Sequence, residues 1–173
     1  MKNFKFNLPF LFLMTLLAVG FVSCSDDDED LRSSTYNYDF NTGQVAAAFA
    51  YSGDHPDNLT ATIKVDELED DQSRITISLN NTIDGETYAT HSHDMADAST
   101  TPNGTPYIET PNSNVFAMPL EGNGGTVSGS NVSTLSYDDI TSNYDGFFVV
   151  HDPLQDITTV DPTTYVFLGV FAR

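Results

Sequence analysis

The chain has 173 residues, with 25 Asp and Glu against six Lys and Arg, a formal net charge of −19, one cysteine and no tryptophan. So acidic a balance excludes the basic face that displaces counterions from nucleic-acid phosphates, and it disfavours electrostatic adhesion to anionic lipids. A single cysteine excludes an internal disulfide, so the fold must rest on a hydrophobic core, and the length suffices for one domain.

The N-terminus opens with Lys2 and Lys5, continues in an apolar run from Pro9 to Val22, and reaches Phe21-Val22-Ser23-Cys24. The run is 14 residues long, short of the roughly 20 that cross a bilayer as a helix. A basic start, a short apolar stretch and a small residue before the only cysteine describe a secretory signal ending at a lipidation site. The stretch resembles a bacterial lipoprotein signal, in which Cys24 becomes the acylated first residue. Ser25-Asp26-Asp27-Asp28-Glu29-Asp30 follows; dense like charge cannot bury a core and reads as a solvated tether. It also resembles the export signal that sends lipoproteins to the outer face of the outer membrane in one phylum of Gram-negative bacteria. The expected division is a signal over residues 1–23, the lipidated cysteine and acidic tether over 24–38, and one domain over 39–173. The membrane is the one partner this division names, through the lipid on Cys24. After loss of residues 1–23 only Arg32, Lys64, Arg74 and Arg173 oppose the 25 acids, a charge of −21. Tyr36 and Tyr38 fall inside the expected tether and have no role there.

Beyond the tether the hydrophobic period is two rather than 3.6. Gly43 to Tyr51 is a strand candidate whose alanine triplet also suits a helix. Leu59, Ala61, Ile63 and Val65 alternate with polar residues, as do Ile75, Ile77 and Leu79, so each segment is a strand with one wet face. Asp70-Asp71-Gln72-Ser73 joins them as a hairpin. Asp84-Gly85 is a turn dipeptide leading into a strand from Glu86 to His93. Asp94 to Asn114, rich in Pro, Thr, Asn and Ser, is a long loop, of a kind that is functional or disordered in compact domains. Val115 to Leu120 and Thr126 to Leu135 are weaker strands split by Gly122-Asn123-Gly124-Gly125. Tyr137 to Tyr144 suits one helical turn. Gly146 to His151 and Thr164 to Ala172 are strands with apolar residues on both faces. Many short strands without a long helix indicate an all-β fold, an antiparallel β-sandwich of Ig-like or superoxide-dismutase-like kind.

Four histidines remain: His55, His91, His93 and His151. Residues two apart on a strand share a face, so His91 and His93 project side by side, at a spacing that suits two ligands of one metal. His151 shares a face with Phe147 and Val149. If its strand pairs beside the one carrying His91, three imidazoles converge, a set suited to zinc or copper. Asp94 and Asp152 each follow a histidine and are candidates for further ligands or for orienting a ring. His55 precedes Pro56 in a polar loop and reads as plain surface.

Ala89-Thr90-His91-Ser92-His93, Val149-Val150-His151 and the closing Phe167-Leu168-Gly169-Val170-Phe171-Ala172-Arg173 resemble the chordin-type domain, CHRD. That family shows a strand ending in His-x-His, a later strand ending in Val-His and a closing strand of mixed character. Ser136-Tyr137-Asp138-Asp139-Ile140 falls where the family has a short acidic helical turn. The resemblance covers Asp39 to Arg173 and implies an extracellular β-sandwich without implying an activity. His-x-His before a distant histidine is also similar to copper–zinc superoxide dismutase, but a charge of this sign would repel superoxide. The expected function is therefore a surface-displayed lipoprotein whose sandwich binds or interacts, with His91, His93 and His151 holding copper or zinc. The alternatives are a copper or zinc enzyme of redox or hydrolytic type using the same histidines, and a purely structural or adhesive subunit.

Overall fold

The computed structural model describes residues 30–41, 49–157 and 160–173. The signal, Cys24 and nearly all of the acidic run lie outside the described residues, as does most of the candidate strand from Gly43 to Tyr51.

Among the described residues there are eight strands: β1 (Ser33–Asp39), β2 (Thr60–Leu68), β3 (Gln72–Asn80), β4 (Thr87–Asp94), β5 (Ala117–Glu121), β6 (Val127–Ser133), β7 (Gly146–His151) and β8 (Tyr165–Val170). They form two four-stranded antiparallel sheets, in the orders β1-β2-β3-β6 and β5-β4-β7-β8. The expected all-β sandwich is the observed fold. The alternation along β2 and β3 sets the first sheet. Ile63 lies opposite Ile77 and Val65 opposite Ile75, so all four share the buried face, while Lys64 and Arg74 stay in water. A slip of one residue would invert both faces, so the pattern holds the register. The hairpin turns through Asp70 and Asp71, whose φ angles of 64° and 55° are left-handed, a conformation Asp tolerates better than most residues.

The second sheet is covered on both sides. Phe148, Val150 and Phe167 face the first sheet and join Ile63, Ile77, Tyr88 and Phe116 in the main core. Phe147, Val149, Tyr165 and Leu168 form a second, smaller cluster on the outer face with Tyr107. Each such side chain contributes about 1.5–3 kcal/mol when fully buried, so an outer face this apolar requires a cover. The segment between β4 and β5 supplies it. It crosses the outer face, pairs Tyr107 with Met95 and sets the Tyr107 ring 5.9 Å from Phe147. At Gly129 in β6 a Cβ would stand 2.6 Å from Met118 Sδ and 2.7 Å from Leu120 Cδ2 of β5, so a larger residue there would require those side chains to shift. Between β6 and β7, Asp139–Asn143 forms the single helical turn expected there.

One boundary differs from expectation. Ser33 to Asp39 is strand β1 rather than tether, paired along its whole length with β2. Tyr36 faces Ile63 and Tyr38 faces Ala61. The Tyr38 ring is buried 5.1 Å from Phe148, and its hydroxyl donates to the Val170 carbonyl at 2.8 Å, linking the two sheets. Burial pushes the Tyr38 hydroxyl up to about 12. Just before the strand, the Arg32 guanidinium forks between Glu67 and Asp138 at 2.7 Å each and lies 4.5 Å over the Tyr137 ring. An edge strand whose outward residues are Ser33, Thr35 and Asn37 has too few apolar residues for its sequence to announce it, and two alternating tyrosines are the whole signal.

Deleting β1 should therefore be costly. Removing a buried aromatic alone costs about 3–5 kcal/mol, and urea slopes for small domains are about 1–3 kcal/mol per molar. A chain beginning at Asp39 should unfold at least about 1 M earlier in urea than one beginning at Asp30; equal midpoints would show that β1 is no part of the domain.

Candidate functional site

β4 pairs with β7, with His91 opposite Val149 and His93 opposite Phe147. Both imidazoles thus project from the outer face of the second sheet, above the smaller apolar cluster. His151 ends β7 on the same face. A register shift between Val150 and His151 sets His151 opposite Tyr165, with Val166 as the extra residue on β8. Bulges of this kind re-aim side chains. Val166 and Phe167 both enter the main core, while Tyr165 joins Leu168 outside. The tyrosine thereby comes to lie against His151, ring centroids 4.3 Å apart.

The three histidines meet. His91 Nε2 and His151 Nε2 are 3.3 Å apart. The His91 and His93 rings stand edge to face, with centroids separated by 4.7 Å. His93 stacks on Tyr107 at 4.7 Å and 28°, and its Nδ1 donates to the Ile108 carbonyl at 2.7 Å. That bond leaves His93 Nε2 with its lone pair, the tautomer a metal ligand requires. His151 Nδ1 is buried with no hydrogen-bond partner. Burial, and then the neighbouring rings, push His91 down to about 3; burial, and then His93, push His151 down to about 4. Burial also lowers His93, opposed by its Ile108 carbonyl and by the charges of Glu109 and Asp94. At neutral pH all three rings are uncharged.

The rings line a cleft of about 190 Å³ together with Glu109, Pro111, Ile157, Val160 and Tyr165. Its roof is the Asp94 to Asn114 loop. Pairs of backbone bonds hold this loop down: Ile108 N–H to the Asp94 carbonyl, Ala96 N–H to the Pro106 carbonyl and Asn112 N–H to the Ser92 carbonyl, at 2.8 to 2.9 Å.

Two neighbouring aspartates take no part. Residues that follow an outward histidine on a strand point to the opposite side. Asp94 Oδ1 accepts from Asn112 Nδ2 at 2.7 Å and from the Tyr144 hydroxyl at 3.0 Å. Asp152 is fully buried and accepts from the Tyr51 hydroxyl at 2.6 Å and from Leu154 N–H at 2.9 Å. Neither touches an imidazole, so both are structural. His55 is not a surface residue either. It is buried, its Nε2 meets the Tyr88 hydroxyl at 2.8 Å and its Nδ1 the Pro56 carbonyl at 2.9 Å. Every ring nitrogen of His55 is satisfied, as in a core histidine. Glu109 and Tyr165 line the cleft, Tyr107 backs it by stacking on His93, and all three escape a search built on histidine spacing. The pattern Tyr107-Ile108-Glu109 in an otherwise small and polar loop is the signal that marks Tyr107 and Glu109.

Two nitrogens each about 2.0–2.1 Å from one tetrahedral zinc stand about 3.3–3.4 Å apart, and the His91–His151 pair has that separation. Among the described residues no three His, Cys, Asp or Glu side chains are arranged so that, as they stand, they could hold a metal ion. No family model matches the chain, and no curated protein matches its sequence.

The depressed histidines make a pH prediction for the metal-free protein. Unfolded imidazoles titrate near pH 6.5 and the folded ones only near 3 to 4, so between these limits the unfolded chain binds more protons and stability falls as pH falls. Each ring contributes a slope of up to about 1.4 kcal/mol per pH unit. Urea midpoints in the presence of chelator should drop more steeply from pH 7 to pH 5 for the native chain than for His91→Gln/His151→Gln, whose carboxylates are the same. Parallel slopes would show that the rings are not buried in neutral form.

Proposed function

We propose that the protein is a lipid-anchored surface module, a CHRD-like sandwich that binds copper or zinc through His91, His93 and His151 and works by binding rather than by turnover. The observation that carries this reading is the approach of His91 Nε2 to His151 Nε2, 3.3 Å apart, beside a third imidazole whose tautomer is held by a backbone carbonyl. Supporting it is the unpartnered Nδ1 of His151. A histidine pair kept only for packing satisfies its nitrogens, as His55 does, and a buried polar atom without a partner calls for another explanation. Depressed basicity supports it further, since a metal competes with protons for the same lone pairs. The cleft, at about 190 Å³, is below the roughly 300 Å³ at which small-molecule pockets begin, which suits an ion and its immediate ligands better than an organic substrate.

The placement on the cell surface rests on the sequence around Cys24. It acquires a geometric consequence from β1. Only seven residues separate Cys24 from the pinned Arg32, and at about 3.3–3.6 Å per residue they reach no more than about 30 Å. An acylated Cys24 thus holds the sandwich close against its membrane rather than on a long stalk. Cys24→Ala should move the protein from the membrane fraction to the soluble fraction; retention in the membrane would refute the lipid anchor.

The metal reading is tested on the chain from Ser25 to Arg173, which lacks the Cys24 thiol, by calorimetric titration with zinc and copper and by elemental analysis. One-to-one binding that disappears in both His91→Ala and His151→Ala is the expected result. Absence of binding, or binding indifferent to both substitutions, would leave the cluster as a hydrogen-bonded structural pair.

A further inference from the structure

Among the described residues Glu109 is the one acidic side chain lining the cleft of the three histidines. Thr105 Oγ1 donates to its Oε1 at 2.7 Å, which sets the direction of the carboxylate and leaves Oε2 uncommitted. None of the four basic side chains downstream of Cys24 pairs with Glu109. Arg32 serves Glu67 and Asp138, Lys64 pairs with Asp66, Arg173 caps the carbonyls of Thr141, Ser142 and Tyr144, and Arg74 lies exposed on the far side of the first sheet. Among the described residues no ion pair reaches Glu109. A half-buried carboxylate therefore faces three uncharged imidazoles and two buried tyrosine rings with no cation to offset it. Burial is the main cause of the raised Tyr107 and Tyr165 hydroxyls and of the lowered His93; the Glu109 charge adds to the first two and opposes the third. Uncompensated charge in a partly dry cleft is costly, and a divalent cation held only by neutral nitrogens has the complementary deficit.

We infer that Glu109 is the fourth donor of the cleft, delivered by the Asp94 to Asn114 loop, and that it selects zinc(II) over copper(I). The inference rests on the reading of the cleft as a metal site. Three imidazoles and a carboxylate make a nitrogen–oxygen set that suits borderline zinc(II), while copper(I) prefers soft sulfur and gains little from a carboxylate. The carboxylate also leaves the ion with one net positive charge instead of two. Four protein donors would close the tetrahedron, in keeping with a site that holds an ion rather than turning over a substrate.

The full chain in detergent, titrated with zinc(II) and separately with copper(I) under reductant against competing chromogenic chelators, decides the matter. Glu109→Gln keeps the shape and can still accept from Thr105. It should weaken zinc by about tenfold or more, the scale of losses on altering a metal's supporting groups, while shifting copper(I) by less than about threefold. The visible spectrum of the cobalt(II) form should change in the same variant. Equal zinc affinity and an unchanged cobalt spectrum in Glu109→Gln, with zinc still lost in His91→Ala, would overturn the role of Glu109 alone. Parallel loss of both metals in Glu109→Gln would make it a loop support and overturn the selectivity. A native chain that takes up no zinc would overturn the metal site itself.

Discussion

The requirement that governs this molecule is that its second sheet is apolar on both faces. β7 reads Gly146-Phe147-Phe148-Val149-Val150-His151 and every residue of it is buried. One face is satisfied by the opposing sheet. The other can be satisfied only by chain laid across it, and the loop between β4 and β5 does this with Tyr107. A cover of this kind cannot be all side chain. It brings backbone carbonyls over the sheet, and these must find donors. His93 Nδ1 serves the Ile108 carbonyl for that reason. The same demand for cover that completes the fold therefore fixes the orientation of a histidine, excludes water from its neighbours and brings Glu109 to the mouth of the cleft.

Charge is distributed to match. A chain with so few basic groups cannot spread ion pairs over its surface, and exposed pairs contribute about 0–1 kcal/mol each in any case. Arg32 is spent where geometry returns more: a fork to two carboxylates, stacked on Tyr137, at the point where the acidic leader meets β1. The Glu67 carboxyl is held down to about 2 by its hydrogen bonds from Arg32. The outer face of the first sheet instead pairs hydroxyls across strands, Thr76 with Ser130 and Ser78 with Ser128, which satisfies polar groups without adding charge.

The fold was legible where burial is periodic. β2, β3, β4 and β7 follow from alternation or from an unbroken apolar run, and the Asp70-Asp71 turn from its residues. β1 was not, because its outward face is Ser33, Thr35 and Asn37 and the only large side chains on its inward face are Tyr36 and Tyr38. Parity also explains the fate of the aspartates. Spacing of two brought His91 and His93 to one face, and by the same rule turned Asp94 away from them; adjacency in sequence had suggested the opposite. His55 shows the converse limit. Polar residues and a proline surround it in the chain, and only the tertiary approach of Tyr88 buries it. Glu109 lies 16 residues beyond His93 along a loop, and nothing local could relate the two.

The shift between Val150 and His151 bears most directly on whether the cleft was selected as a site or left over from packing. A regular pairing would set His151 opposite Val166, with a branched aliphatic side chain against the ring and Tyr165 turned towards the main core. The extra residue reverses that parity. Val166 goes inward beside Phe167, and Tyr165 moves out against His151. A bulge leaves one residue out of the ladder and disturbs the strand locally, so it is retained where it aims a side chain. What it aims here is a polar aromatic group at an imidazole whose own Nδ1 has no partner. Core packing alone would favour the regular ladder. The irregular one concentrates three imidazoles, two phenols and a carboxylate on a face that hydrophobic burial would otherwise fill with valine and leucine.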